Sequence, residues 1–145
     1  MTEAIEQYTQ ALQRAKRSPE TSPKERARIY QKLTQASMKS SILAPKPKKQ
    51  TAHAKAAYEY AQAALQAAKE SGDDCMAAQV EFLLACVALW MLRLQSEGER
   101  AEEAVSKGKD ELQICLERLK RYPEVRTRVY EEQMRVYLGY FAETS

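Results

Sequence analysis

"FLLACVALWML", residues 82–92, is the longest unbroken apolar run in a chain of 145 residues, and Glu81 and Arg93 close it at either end. A helix that crosses a bilayer needs roughly 20 apolar residues, and this run holds eleven. It therefore predicts a core helix rather than a membrane span. Val80, Leu83, Leu84, Val87, Met91 and Leu94 fall on one helical stripe, while Phe82, Cys86 and Leu89 fill most of the remaining circumference. A helix apolar nearly all round is surrounded by others, so Leu84, Val87 and Met91 are expected to be almost wholly buried. The alternative is that one side of this helix waits for a partner chain.

Working outward, the flanking sequence predicts an all-α fold of about six helices. Ala, Leu, Gln, Glu, Lys and Arg dominate, and only 4 Gly and 5 Pro interrupt them; the former are good helix formers. Val, Ile and Thr nowhere alternate over a strand's length. "SPETSP" at 18–23 breaks a first helix, and Ser22-Pro23-Lys24-Glu25 starts a second: a capping Ser, Pro at the first helical position, and Glu three residues on. "APKPKKQ" at 44–50 reads as an extended charged connector, because each of its two prolines restricts its neighbour. Ser71-Gly72 ends a third helix, Asp73 or Asp74 caps the fourth, Ser96-Glu97-Gly98 turns into the fifth, and Tyr122-Pro123 starts the sixth. The helices are thus expected near 2–17, 23–40, 51–70, 74–95, 99–121 and 122–142. Short connections place successive helices side by side and antiparallel. The expected architecture is an antiparallel bundle or a short helix-hairpin array, with the fourth helix at its centre and the third, fifth and sixth as its neighbours. Residues 1–41 form a basic hairpin packed on a main bundle at 51–145, and 42–50 links them.

Charge is divided unevenly. Residues 1–55 carry 12 Lys and Arg against 4 Asp and Glu, although the whole chain has a net charge of only +3. Arg14, Lys16, Arg17, Arg26, Arg28, Lys46, Lys48 and Lys49 make a candidate basic patch for nucleic acid, acidic protein or anionic lipid. No aromatic residues interleave with the linker lysines, so a solvated basic face explains the same pattern.

Two short stretches carry a family resemblance. Ala4, Tyr8, Ala11 and Leu12 in "AIEQYTQAL", and Ala78, Phe82 and Ala85 in "AQVEFLLA", place a small residue, an aromatic four later and a small residue three later. This resembles the second-helix pattern of a tetratricopeptide repeat, whose period is about 34 residues. The repeat's first-helix signature, an aromatic followed by Leu-Gly and Tyr, is missing from the third and fifth helices. "EAIEQYTQAL" equally resembles part of a microtubule-interacting-and-trafficking domain. The repeat resemblance implies a scaffold that binds a helical or extended peptide in a groove. It does not extend to the subclass that clamps C-terminal carboxylates with Lys and Asn, since this chain contains no Asn.

Nothing in the sequence marks a catalytic centre or a cofactor. His53 is the only histidine and has no evident partner for acid–base work. Phosphate-binding glycine loops, nucleophile elbows and H-E-x-x-H are all missing. Glu97, Glu99, Glu102 and Glu103 gather at a helix start, where carboxylates suit the positive end of the helix. Cys75, Cys86 and Cys115, odd in number and without a C-x-x-C pair, predict small core residues in a reducing compartment rather than disulfides or zinc ligands. No apolar leader opens the chain, so an intracellular protein of nucleus or cytoplasm is expected; "PKPKK" resembles a nuclear-import segment, and Ser18-Pro19 and Ser22-Pro23 have the form of proline-directed phosphorylation sites. Tyr130, Met134, Tyr137 and Phe141 fall at i, i+4, i+7 and i+11 of the last helix, widened by Val129, Val136 and Tyr140. That stripe is either core or a partner-binding surface, the latter most of all at Tyr140 and Phe141. The function expected is a non-catalytic scaffold that docks a partner helix, an extended segment or a second copy of itself. The alternative is a nucleic-acid-associated domain using the basic N-terminal hairpin and linker.

Overall fold

The computed structural model describes the backbone at residues 2–18, 20–96 and 98–143, and side chains at those positions other than 2–4, 8 and 140–143. The resembled positions Ala4 and Tyr8 and the expected anchors Tyr140 and Phe141 therefore have side chains outside the described set, and Pro19 and Glu97 lie outside it altogether. Six helices follow one another: α1 (Thr2–Arg17), α2 (Pro23–Leu43), α3 (Pro47–Ser71), α4 (Asp74–Gln95), α5 (Glu99–Leu119) and α6 (Thr127–Glu143). Among the described residues there is no strand, and the chain is all-α. Each helix packs on its sequence neighbours, and α4 also reaches α2 and α6.

The local signals act as the residues dictate. Ser22 Oγ accepts the Glu25 N–H at 3.1 Å to start α2, and Asp73 Oδ1 accepts the Met76 N–H at 3.0 Å to start α4. Gly72 closes α3 at φ 74°, a left-handed conformation that a side chain would oppose.

Two boundaries depart from expectation. The connector 44–50 is helical from Pro47 onward. Pro47 sits at the first helical position, where its missing N–H has no partner to lose, and Lys46 before it is extended, as a residue preceding proline prefers. Only residues 44–46 turn. The sixth helix starts at Thr127 rather than at Tyr122-Pro123. Residues 122–126 instead carry Val125 into the core, with its N–H bonded to the Tyr122 carbonyl at 3.1 Å.

The most extensive pairing in the molecule joins α2 and α3. Ala27, Tyr30, Thr34, Ser37 and Ser41 recur at alternating steps of three and four residues, and so do Ala54, Ala57, Ala61, Ala64 and Ala68. All but Tyr30 are buried. This is heptad spacing with small side chains at the seam, which lets two antiparallel backbones approach closely. Two of the seam's polar members have their bonds in view: Thr34 Oγ1 donates to the Tyr30 carbonyl at 2.7 Å, and Ser41 Oγ to the Gln50 carbonyl at 2.6 Å. Trp90 Nε1 from α4 donates to that same Ser41 oxygen at 2.7 Å, and Gln50 Nε2 returns to the Ala44 carbonyl at 3.1 Å. The turn between α2 and α3 is thereby tied into the core.

Against this hairpin lies α4. Phe82, Cys86, Val87, Leu89 and Trp90 are buried almost completely, but Leu84 and Met91 are only half-buried. The buried face is rotated away from the expected stripe, because α2, α3, α5 and α6 cover one side of α4 and leave Leu92 exposed on the other. On the α5 side, Gly108 is buried against Leu89, whose methyls would overlap a Cβ there. By length and composition alone α4 is apolar enough to cross a membrane, an 18-residue stretch of it having a mean hydropathy of 1.9. The run of eleven understates this, since Glu81 and Arg93 are the only charges between residues 75 and 95. Half of that 18-residue stretch is buried inside the fold.

Candidate protein-interaction face

α6 makes less extensive contacts than any inner helix, touching α5 and, more lightly, α4. Its expected stripe turns inward. Met134 is buried, and Tyr130 and Tyr137 are half-buried against the same core cluster. Tyr130 stands edge-to-face on Phe82, ring centroids 5.1 Å apart at 83°, a favourable arrangement for two aromatic quadrupoles. Burial raises the Tyr130 pKa, so its hydroxyl stays protonated. The structure thus brings Tyr130, Met134 and Tyr137 together as packing residues.

The neighbouring stripe faces out. Val129 and Val136 are 48% and 47% exposed, and with Arg126, Arg128, Glu132 and Tyr137 they line an open groove of about 730 Å³. A cleft of about 420 Å³ adjoins it, lined by Gln35, Lys39, Ile42 and Leu43 of α2 and sharing Gln133 and Tyr137. Leu43 is 58% exposed. The two concavities form one apolar face between the last turns of α2 and the outer side of α6. Its rim is basic: among the described residues neither Lys39, Arg126 nor Arg128 bridges a carboxylate. Glu132 is the acid on this face, and it pairs with Arg135 at 3.6 Å. Sequence reasoning found Val129 and Val136 but missed Lys39, Ile42, Leu43, Arg126 and Arg128, which join the face only once α2 and α6 are brought together.

The candidate basic patch divides in two. Arg14, Lys16 and Arg17 end α1 and lead to Arg26 and Arg28 near the start of α2. Lys46, Lys48 and Lys49 lie at the far end of α2, a helix of 21 residues, which spans roughly 30 Å. Arg26 is partly neutralised by Glu70 at 3.5 Å and donates to the Thr21 carbonyl. Lys16, Arg26, Tyr30 and Glu70 line one small pocket between α1, α2 and α3.

The thiols are held protonated. Burial pushes Cys75 up to about 11, helped by the Glu124 carboxylate beside it, and burial raises Cys86 and Cys115 as well. None is a poised thiolate, and all three are free. Among the described residues no three His, Cys, Asp or Glu side chains gather as a metal set. His53 sits half-buried in the second turn of α3, and Glu99, Glu102 and Glu103 are exposed on the first turns of α5. No protein-family model, curated protein or solved structure matches this chain, so no comparison identifies either of the resembled families.

Proposed function

We propose that this chain is a non-catalytic protein-interaction module that holds a segment of a larger assembly along the α2–α6 face. One observation carries the reading: an apolar face with Leu43, Val129 and Val136 each about half exposed or more, contiguous across two helices. Contiguous apolar surface of this kind marks interaction sites. The protonated, unpaired thiols suit a reducing intracellular compartment, and the reading requires no cofactor.

The test compares the chain with its Val129→Asp/Val136→Asp variant as immobilised baits in the same cell extract. A partner retained by the first and lost from the second is expected, with melting temperatures within about 3 °C. Equal retention by both would overturn the assignment.

Nucleic-acid association is the second reading, favoured by Arg14, Arg17 and Arg28, which are exposed at one end of the α1–α2 hairpin. Phosphate neutralisation would make retention fall steeply between about 50 and 200 mM salt, which apolar docking does not.

A further inference from the structure

We infer that the occupant of the α2–α6 face is an amphipathic helix whose apolar stripe is flanked by carboxylates. This rests on the interaction reading above and names the chemistry of the partner.

Shape favours a helix over an extended segment. The face is bounded by two helices, α2 and α6, and offers no strand edge to pair with a partner's backbone. An extended chain docked there would leave its own N–H and C=O groups without protein partners, whereas a helix satisfies them internally. Val129 and Val136 are seven residues apart on α6, about two turns or 10 Å along the axis. Anchors at i, i+3 or i+4, and i+7 on a partner helix match that spacing, and a third helix seats between two others at 8–10 Å from each axis.

Charge selects the kind of helix. Lys39, Arg126 and Arg128 stand on the rim and bridge no carboxylate among the described residues. Glu132, the acid on this face, already has Arg135 beside it. A partner with Asp or Glu beside its apolar stripe supplies the missing counter-charges, and a Lys-flanked helix meets like charge. The same rim argues against a second copy of this chain. A two-fold dimer sets one patch against itself, so the carboxylate this face could offer the copy's Lys39, Arg126 and Arg128 is Glu132, which already pairs with Arg135.

A displayed library of 18-residue helices tests this. Leu is held at i, i+4 and i+7, and the flanking positions vary among Glu, Lys and Gln. Selection runs on the full chain, on Arg126→Glu/Arg128→Glu and on Val129→Asp/Val136→Asp, each first shown by circular dichroism to melt like the parent. On the parent, Glu should be enriched over Lys at the flanking positions by tenfold or more. The preference should invert to Lys on Arg126→Glu/Arg128→Glu, and the aspartate variant should retain nothing. Retention by the parent without charge preference, lost on the aspartate variant, overturns the acidic helix and leaves the docking face standing. Retention no better on the parent than on the aspartate variant overturns both. Sedimentation showing a stable homodimer that Val136→Asp dissociates assigns the face to a second copy instead.

Discussion

The α2–α3 seam and the outer side of α6 use the same helical periodicity and end in opposite states. In the seam, Ala57, Ala61 and Ala64 are wholly buried although each offers a single methyl group. On α6, the larger Val129 and Val136 remain about half exposed. Side-chain size therefore does not decide burial here; the number of helices that can close over a stripe does. α3 has α2 on one side and α4 on another, whereas α6 is the last helix of the array and packs chiefly on α5 and, more lightly, on α4. Fully burying a valine stabilises by about 1.5–3 kcal/mol, so the half-exposed pair leaves part of that gain to whatever covers it.

The largest expected effect lies where the seam meets the core. Trp90→Ala should cost about 3–5 kcal/mol, because it removes the largest fully buried side chain and leaves Ser41 without its indole donor. Urea denaturation followed by circular dichroism measures it. A cost under about 1 kcal/mol would show that the α2–α3 turn does not depend on α4.

A direct contrast follows. Ala61→Leu should cost about 1–3 kcal/mol, since the seam's close approach has no room for three more carbons. Val136→Leu on α6 should stay within about 0.5 kcal/mol. Equal losses would mean that the two stripes are packed alike, and the comparison would fail.

A more modest loss is expected at the other end of the seam, where Lys24 at the start of α2 bridges Asp73 at 3.1 Å. The Met76 N–H, and then Lys24, lower the Asp73 pKa below its ordinary 3.8. A carboxyl whose folded pKa is depressed stabilises fully above its unfolded value, and that stabilisation is lost as pH falls through the folded one. Asp73→Ala should thus cost about 1 kcal/mol at neutral pH as a lost helix cap. The two proteins' stabilities should converge in acid below pH 3.8. A constant difference down to pH 2 would remove the carboxylate from the account.

Much of this was legible in local pattern. The Ser22 cap, a cap at Asp73 or Asp74, the stop at Gly72 and the central place of α4 follow from residues adjacent in sequence, and the structure chose Asp73. The seam was written there too, in two sets of small residues at heptad spacing, but Ala, Ser and Thr carry so weak a hydropathy signal that their periodicity does not announce burial. The start of α3 was hidden because two nearby prolines read as a break. Only the docked turn, with Gln50 and Ser41 bonded across it, shows that the second proline opens a helix. Tyr130, Met134 and Tyr137 were visible as a stripe, yet nothing along the chain distinguished them from Val129 and Val136 as the side that packs.

Composition, caps and breakers determined by themselves that this chain is a set of six helices with one apolar helix at the centre, because helix starts and stops depend on hydrogen bonds within a few residues. Which face of each helix closes was decided only by tertiary structure. Leu84 and Met91 turned half outward, and Ile42 and Leu43 came beside Gln133 and Tyr137, because burial depends on neighbours that lie far away in sequence. The α2–α6 face proposed for docking exists for that reason: Lys39 and Arg128 stand 89 positions apart and share a rim only because α2 and α6 flank the same core.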